Sequence, residues 1–509
     1  MEATNKIHIA LVSVPIYSHL LSILEFSNKL LHLHQDFHFT CIIPTIDSPT
    51  INAMKSLFQS LPYYYNSSSF DFILLPPPSN LHHDHDEEKM MVHHHHPALL
   101  VELTISLSLP SICEELEKLM MRMDLPPLVG VIADALVDEV TEFVKREMDV
   151  LSFVYFPSTA MMLSLCLYSS ELDEIVSLCE YRDMPQPIEI PGCFPIHGSD
   201  LPDALQDRSS KTYRDFLDAG KRFHLADAVL INTFQELEPH PIKALQELRI
   251  TSRKIPLVYP IGPIITTHDS NHNESDKKGL ECLKWLDKKP PRSVLYVSFG
   301  SGGTLSQEQL NELALGLELS GQNFLWVFKP PSRFGVVADP SSERNNHDHD
   351  HDQGDPLDFL PSGFLERTKG QGLVVPFWGP QVGVLGHGAT GGFVSHCGWN
   401  SVLESVVHGV PLVAWPLFAE QKMNAAMVSG ESGLGVGLRA RVNEELGIVE
   451  KEEIARVVVS LMEGEEGEEI RCRMNVLKEA AGKAMEEEDG SSRRSLCEFA
   501  LKCGSFRSK

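Results

Sequence analysis

The sequence predicts an α/β protein of two domains, each a doubly wound parallel sheet with helices on both faces. Three observations lead to this fold class. The chain has 509 residues, more than a single hydrophobic core usually supports. Short apolar segments alternate with amphipathic helical segments, which is typical of parallel sheets. A stretch that contains prolines and glycines interrupts this alternation near the middle of the chain.

The predicted N-terminal domain covers residues 1–255. It begins with the strand "IHIALVSV" and the helical pattern "HLLSILEFSNKLLHL". Further apolar segments are predicted strands, with amphipathic stretches between several of them: "FHFTCIIP", "FDFILLPP", "LVGVIAD", "VLSFVYFPS" and "ADAVLINTF". Residues 256–279 are predicted to be a solvated interdomain linker.

The predicted C-terminal domain covers residues 280–485 and repeats the alternation. Its helices are "QEQLNELALGLELSG" and "NSVLESVVHG", and its strands include "SVLYVSFGS", "NFLWVF", "GLVVPFW", "GGFVSH" and "PLVAWP". Residues 486–509 are predicted to form a helix that packs back on the N-terminal domain. Parallel sheets of this kind bind ligands at the carboxyl ends of their strands, so residues there are the candidates for function.

Composition excludes several classes of function. The chain is 42% apolar and 22% charged, as soluble globular proteins are, and its formal charge of −27 argues against nucleic acid or an anionic membrane as partner. The first residues lack the features of a secretory signal, so we expect a cytoplasmic protein. Ten cysteines without a C-x-x-C pair argue against zinc ribbons and a disulfide framework. The histidine-rich stretches 82–96 and 345–355 are interpreted as surface insertions, although histidine and aspartate also ligate metals.

The stretch "SHCGWNSVLESVVHG", residues 395–409, gathers polar side chains where a predicted strand meets a predicted helix. One interpretation is a thiol or metal site at Cys397. A second is a helix that begins at Asn400 or Ser401, with Ser401 and Glu404 as a capping box. A third is an anion site, because free N–H groups and the helix dipole favour a phosphate at a helix start, where His396 would add a donor.

The segment from Trp378 to Gln421, "WGPQVGVLGHGATGGFVSHCGWNSVLESVVHGVPLVAWPLFAEQ", resembles the signature box of the plant UDP-dependent glycosyltransferases. Stretches such as "PGCFPIHGSDLPDALQDRS" and "SFGSGGTLSQEQLNELALGL" are similar to the hydroquinone or phenolic glucosyltransferase subgroup, and the resemblance covers nearly the whole chain. It implies a GT-B fold, two Rossmann-like domains facing across a cleft. It also implies inverting transfer of glucose from UDP-glucose to a small phenolic acceptor, giving a β-glucoside, without a metal or other cofactor. We expect a monomer that does not insert into membranes.

The resemblance also implies which residues hold the donor. Glutamine at the last box position goes with glucose in the family, so the sequence predicts UDP-glucose as donor. Gly379 departs from the family, which usually has alanine there. The implied contacts are Trp378, Gly379 and Gln381 to the uridine; Glu404 to the ribose; Ser301, Gly302, His396, Asn400 and Ser401 to the diphosphate; and Trp399, Glu420, Gln421 and Thr159 to the sugar.

Two residues at strand ends of the N-terminal domain are candidates for the chemistry. His19 follows the first strand and Asp134 ends the strand "LVGVIAD", so both can meet at one edge of the sheet. Taken alone, such a histidine or aspartate is more often structural. The resemblance assigns His19 as general base and Asp134 as the carboxylate that orients it, a role that suits histidine near neutral pH. Ser18 and Ser22 stand where the family commonly has glycine and proline.

Two other functions would also require a UDP site. A nucleotide-sugar epimerase of similar shape would also bind UDP, and a non-catalytic nucleotide-sugar sensor would bind it without turnover. A nicotinamide dehydrogenase is disfavoured, because no strand is followed by G-x-G-x-x-G with an acidic residue about twenty positions on. The acceptor pocket is built from loops, so phenols are the subgroup expectation while nitrogen and sulfur acceptors stay alternatives.

Overall fold

The structure is a computed structural model, and it describes the following residues: 6–60, 69–78, 97–176, 179–250, 255–265, 275–332, 335–336, 355–430, 433–486 and 488–507. The two histidine-rich stretches lie outside these residues, apart from Asp355.

The chain forms two compact units, each drawn from more than one part of the sequence. The first unit comprises Met1–Pro195, Asp207–Thr266 and Gly482–Lys509. The second comprises Ile196–Gln206 and Thr267–Ala481. Each unit therefore takes in a segment that is remote in sequence from the rest of it.

The first unit contains a parallel sheet of seven strands in the order β3-β2-β1-β4-β5-β6-β7. The strands are β1 Ile7–Val12, β2 Phe37–Pro44, β3 Phe70–Leu75, β4 Leu128–Asp134, β5 Leu151–Phe156, β6 Ala228–Ile231 and β7 Leu257–Pro260. The helices of this half of the chain are α1 Tyr17–Leu33, α2 Ser48–Ser60, α3 Pro97–Met121, α4 Glu139–Glu147, α5 Ala160–Ile175, α6 Lys211–Phe223 and α7 Pro239–Ile250.

The second unit contains a parallel sheet of six strands in the order β10-β9-β8-β11-β12-β13. The strands are β8 Val294–Ser298, β9 Asn323–Phe328, β10 Gly372–Pro376, β11 Thr390–Ser395, β12 Leu412–Ala414 and β13 Gly437–Arg439. The remaining helices are α8 Ser275–Leu286, α9 Gln307–Ser320, α10 Phe364–Arg367, α11 Gln381–Gly386, α12 Trp399–His408, α13 Gln421–Ser429, α14 Lys451–Glu463, α15 Glu465–Glu486 and α16 Ser491–Arg507.

The central strands are buried along their whole length, as expected when helices cover both faces of a sheet. The C-terminal helix α16 contributes Leu496 and Phe499 to the core of the first unit. The ring of Phe499 meets those of Phe26 and Phe153 edge-on. The chain thus returns at its end to complete the hydrophobic core that its beginning forms.

The described part of segment 256–279, predicted as a solvated linker, is not one, because residues 256–264 are mostly buried and residues 275–279 belong to helix α8. It begins with β7, the outermost strand of the first sheet, whose backbone pairs with β6. Asn232 secures the chain just beyond, because its side chain exchanges two hydrogen bonds with the backbone of Ile264. The prolines and glycines of this stretch do not indicate a linker here, since "LVYP" is a four-residue edge strand.

In both sheets the order in which strands are added reverses beside the first strand of that sheet, while all strands stay parallel. The chain moves outward from β1 to β3 and then crosses to β4, and it moves outward from β8 to β10 and then crosses to β11. At such a reversal the loops after the two adjacent strands diverge, which opens a crevice for ligands. None of the helices in the described part of the chain combines the length and apolarity needed to cross a membrane.

Candidate active site

His19 and Asp134 meet at the reversal point of the first sheet. His19 lies in the first turn of α1, after β1, and Asp134 is the last residue of the neighbouring strand β4. The Nδ1 atom of His19 lies 2.9 Å from Oδ2 and 3.1 Å from Oδ1 of Asp134. The Asp134 side chain is fully buried, whereas His19 is 24% exposed. A carboxylate at Nδ1 holds the proton on that nitrogen, which leaves Nε2 as the basic atom.

Ser22, one turn beyond His19 on α1, bonds to a buried tyrosine. Its Oγ lies 2.6 Å from Oη of Tyr155, and both side chains are buried. Tyr155 is the register partner of Asp134 in the adjacent strand β5. The serine that replaces the usual proline of the family therefore provides a hydrogen-bond partner for the Tyr155 hydroxyl, and it links α1 to the sheet.

Ser22→Ala is expected to lower the free energy of unfolding by about 1–3 kcal/mol, because the Tyr155 hydroxyl would stay buried without this partner. Tyr155→Phe in the Ser22→Ala background should recover part of that loss, since it removes the unsatisfied group. Urea unfolding of both variants measures this. Equal or larger loss in the double variant would contradict the role given to the hydrogen bond.

Thr159 begins the helix α5 after strand β5. Its hydroxyl accepts a hydrogen bond of 2.9 Å from the N–H of Met162 and so caps the helix. The buried carboxylate of Glu238 accepts from the N–H groups of Ala160 and Met161 at 2.8 and 3.0 Å. Burial raises the pKa of Glu238. The start of α5 is therefore fixed by two side chains, and the Thr159 hydroxyl keeps its own hydrogen to donate.

His396 follows β11 at the reversal point of the second sheet, between two glycines. A Cβ atom at Gly300 would lie 2.6 Å from the imidazole, and one at Gly398 would lie 2.4 Å from its Nε2. Gly300 also has φ +72°, which other residues rarely adopt. The turn after β8 and the turn after β11 thus enclose the ring from two sides. Among the described residues, its buried Nδ1 atom has no hydrogen-bond partner.

Lys329 is a cation next to this site that sequence reasoning missed. It directly follows β9, is 8% exposed, and donates from Nζ to the carbonyl oxygen of Ser301 at 2.5 Å. Burial, and after it the charge of Lys329, lower the pKa of His396 to about 4. The imidazole is therefore neutral near pH 7. In the sequence, the feature that could have indicated Lys329 is a charged residue directly after the apolar segment "NFLWVF".

The helix α12 begins differently from the prediction. Its first residue is Trp399, which is 2% exposed, and its N-cap is Gly398, without a side-chain cap. Ser401 and Glu404 therefore do not form the predicted capping box. Instead both accept hydrogen bonds from Nε2 of Gln381, at 2.8 Å to Ser401 Oγ and 2.7 Å to Glu404 Oε2. The capping interpretation was wrong because the glycine turn lets the helix begin at Trp399, one or two residues earlier than predicted.

Gln381, Ser401 and Glu404 form a polar cluster at the start of α12, next to Asn400. Ser401 and Glu404 are buried, and Gln381 is the first residue of α11. Three residues assigned from the resemblance to uridine, diphosphate and ribose are thus joined by hydrogen bonds.

Trp378 and Gly379 lie in the turn between β10 and α11. Phe377, which precedes Trp378, has φ +65°, a conformation that is strained for a residue with a side chain. A Cβ atom at Gly379 would come within 2.7 Å of Val327 Cγ2. The departure from the alanine of the family is thereby explained, because Val327 occupies the space that an alanine methyl group would need.

Gly379→Ala is expected to raise the dissociation constant of UDP about tenfold, because overpacking of about 1–3 kcal/mol would displace the turn that carries Trp378. Adding Val327→Ala should return the affinity towards that of the parent protein. Isothermal titration with UDP tests both variants, and Val327→Ala alone is the control. Parental affinity in Gly379→Ala would show that the turn tolerates the methyl group.

Glu420 and Gln421 stand at the start of α13. Gln421 is buried, and its Oε1 accepts from the N–H groups of Leu417 and Phe418 at 2.9 and 3.1 Å. These two hydrogen bonds use the oxygen of the Gln421 amide and not its nitrogen. The residue before Glu420, Ala419, has φ +56°.

Among the described residues, three of the four non-glycine residues with positive φ are chain neighbours of candidate donor residues, the fourth being Arg292. Phe377 precedes Trp378, Cys397 follows His396, and Ala419 precedes Glu420. Strained backbone of this kind persists where the surroundings fix it, and it concentrates at functional sites. The Cys397 thiol itself is buried, and burial raises its pKa to about 12, so the thiol interpretation finds no support. In the described part of the chain, no three potential ligand side chains lie together as a metal site would require.

The chain was compared with known proteins. A family model described as UDP-glucoronosyl and UDP-glucosyl transferase matches residues 228–446. The hydroquinone glucosyltransferase of Rauvolfia serpentina is 46% identical, over 97% of each chain. The solved structure of Phytolacca americana UGT2 complexed with UDP-2fluoro-glucose and pterostilbene is 41% identical and has a TM-score of 0.81, covering 98% of this chain and 99% of that one.

A second solved structure is similar to the same extent. It is a UDP-glucosyltransferase from Polygonum tinctorium capable of glucosylating indoxyl, in complex with 3,4-dichloroaniline, with 40% identity, a TM-score of 0.82 and coverage of 98% of this chain and 99% of that one. Identity at this level along almost the whole chain, on two parallel-sheet units, shows that the protein belongs to the family of UDP-dependent glycosyltransferases and has the GT-B fold.

Proposed function

We propose that this enzyme transfers glucose from UDP-glucose to the hydroxyl group of a small phenolic acceptor and inverts the anomeric configuration. The observation that carries the proposal is the pair His19 and Asp134, with 2.9 Å between Nδ1 and Oδ2 at the reversal point of the first sheet. A histidine held in this way is a base suited to a phenol, whose proton must leave as the oxygen attacks.

The reaction would be a single displacement. Nε2 of His19 takes the proton of the acceptor hydroxyl, and the acceptor oxygen forms a bond to the anomeric carbon of glucose. The bond from that carbon to the β-phosphate oxygen breaks, and UDP leaves with the electron pair. The buried carboxylate of Asp134 stabilises the imidazolium that results. Attack opposite to an α-linked leaving group gives a β-glucoside.

The residues at the start of α12 would bind the diphosphate of UDP. Free N–H groups of a helix start attract phosphate, and His396 and Asn400 add side chains there. Charge that develops on the leaving phosphate is stabilised by such fixed donors. The buried cation Lys329 donates a hydrogen bond to the carbonyl oxygen of Ser301 in the adjacent turn. Its positive charge favours binding of an anion there, although the protein as a whole is acidic. The groups proposed for the diphosphate are His396, Asn400, Ser401, Ser301 and Gly302.

The uridine would lie on Trp378, with Gly379 contacting the edge of the base through its backbone. Stacking on an aromatic ring is worth about 1–3 kcal/mol per base. Glu404 would accept from the ribose hydroxyls. Gln381 already donates to Glu404 at 2.7 Å and so orients that carboxylate, while its remaining atoms serve the nucleoside.

Four residues are proposed to contact the glucose. Glu420 and the amide nitrogen of Gln421 would contact its hydroxyls, and Thr159 would donate from its hydroxyl. Because the Trp399 side chain is buried, we propose that Trp399 contacts the glucose through its backbone N–H group, at the helix start. The glutamine at position 421 supports glucose over galactose as the sugar.

We propose that no metal takes part and that the enzyme acts as a monomer in the cytoplasm. Neutralisation of the diphosphate by a helix start and donors makes a bound cation unnecessary. All ten cysteines are free thiols, which fits a reducing compartment.

A panel of acceptors tests the proposal. Phenols, alcohols, aromatic amines and thiols are incubated separately with UDP-glucose, and UDP release and product mass are measured. The relatives support phenols, since one is named for hydroquinone and another is complexed with pterostilbene. We expect the highest kcat/KM with a phenol and a product heavier than the acceptor by one hexose unit.

The same assay distinguishes the rival functions. An epimerase would convert UDP-glucose to a second UDP-sugar without any acceptor, and a sensor would bind UDP without turnover. Either result would overturn the proposal.

A further inference from the structure

Residues Ile196–Gln206, which we name the clamp segment, belong to the second unit although both of their chain neighbours belong to the first. The segment is a closed loop. The side-chain amide of Gln206 donates to the carbonyl oxygens of Gly198 and Leu201, each at 2.9 Å. Leu201 and Leu205 are buried. The clamp segment is thus a fixed part of the second unit.

Asp203 of the clamp segment forms hydrogen bonds with both the carbonyl oxygen and the N–H group of Ala419. Its N–H donates to the Ala419 carbonyl oxygen at 3.1 Å, and its Oδ2 accepts from the Ala419 N–H at 2.8 Å. Its Oδ1 also accepts from Nζ of Lys422 at 3.2 Å. That ion pair is partly exposed and therefore weak, so the two backbone bonds carry most of the interaction.

Ala419 is a residue that needs such support. Its φ of +56° is sterically disfavoured for alanine, and a strained residue keeps its conformation only when its surroundings hold it. Within the turn, Oε1 of Gln421 accepts hydrogen bonds from the N–H groups of Leu417 and Phe418. Asp203, which is remote in sequence, fixes the turn through its two hydrogen bonds to the Ala419 backbone. Ala419 is followed directly by Glu420 and Gln421.

We propose that Asp203 is a positioning residue for the donor sugar. By fixing the left-handed conformation of Ala419, it sets the direction in which the next two side chains leave the turn, and so the preference for glucose. The inference rests on the proposed function, in which Glu420 and Gln421 contact the sugar. UDP without a sugar does not need these contacts, so its affinity is independent of Asp203.

The clamp segment supplies a matched control. Asp200 accepts from Nη1 of Arg439 at 2.9 Å, a comparable ion pair of the same segment that does not touch the turn. Asp200→Ala therefore weakens the attachment of the segment and leaves Ala419 held. Asp203→Asn keeps an acceptor oxygen for the Ala419 N–H and loses only the charge that faces Lys422.

The test measures the dissociation constant of UDP, and kcat and KM for UDP-glucose and UDP-galactose, in each variant. For Asp203→Ala we expect a fall of about tenfold in kcat/KM with UDP-glucose, equal to about 1.4 kcal/mol, and a lower ratio of glucose to galactose transfer, at unchanged UDP affinity. Asp200→Ala and Asp203→Asn should keep the parental ratio.

A parental sugar ratio in folded Asp203→Ala, or an equal fall in Asp200→Ala, would overturn the role of Asp203. If Asp203→Ala does not fold, a changed ratio in Asp200→Ala alone would also overturn it, because that variant leaves the turn intact. Failure of the proposed function is distinguishable, since the parent protein itself would then transfer no glucose from UDP-glucose.

Discussion

His19→Ala is expected to lower kcat by between about 100-fold and 10,000-fold, the range that general base catalysis contributes, while UDP binds with parental affinity. The histidine belongs to the first unit, whereas the side chains proposed for UDP all belong to the second. Removal of the imidazole therefore takes away the proposed proton acceptor and leaves the proposed nucleotide contacts in place. Steady-state kinetics with a phenolic acceptor and calorimetric titration with UDP measure the two effects separately.

His32→Ala is a matched control for this variant. It makes the same substitution in the last turn of the same helix α1, at an exposed position. We expect parental kcat in that variant. Near-normal turnover of His19→Ala would refute the assignment of the base, and a joint loss of UDP binding would indicate that the substitution acts through the fold.

Asp134→Asn is expected to lower kcat by about 100-fold or more, because the carboxamide cannot neutralise the imidazolium and can hold the wrong tautomer of His19. The fold should persist, since asparagine retains an oxygen that can accept from the N–H of Leu136, as Oδ1 now does at 3.0 Å. Circular dichroism checks the fold, and kinetics check the rate.

The double variant decides whether Asp134 acts through His19. When two residues act as one catalytic unit, substituting both lowers kcat no further than substituting the essential one. His19→Ala with Asp134→Asn should therefore be no slower than His19→Ala alone. An additional loss in the double variant, as large as that of Asp134→Asn by itself, would mean that the carboxylate acts independently of the histidine.

Features encoded locally were the ones that the sequence predicted well. The alternation of apolar and amphipathic segments is a local pattern, and it predicts two parallel sheets. Positions at strand ends are also local, and they predict the pair His19 and Asp134, whose Nδ1 and Oδ2 atoms lie 2.9 Å apart. The signature box, through its resemblance to the family, predicts most of the residues that we propose for the donor site.

Features that depend on distant partners were missed or mistaken. Ser401 and Glu404 have the spacing of a capping box, but the side chain that bonds to both is Gln381, twenty residues or more away. Asp203 lies 216 positions from Ala419, and no periodicity marks such a pair. Val327 explains Gly379 only because β9, which contains Val327, is the neighbour in the folded sheet of β10, which precedes the turn with Gly379.

The configuration of the product tests the central claim most directly. UDP-glucose and a phenolic acceptor are incubated with the enzyme, and the anomeric proton of the glucoside is observed by NMR as UDP is released. A single displacement with His19 as base predicts a β-glucoside formed in equal amount to UDP from the first turnover. An α-glucoside, or release of UDP with free glucose and no glucoside, would contradict it.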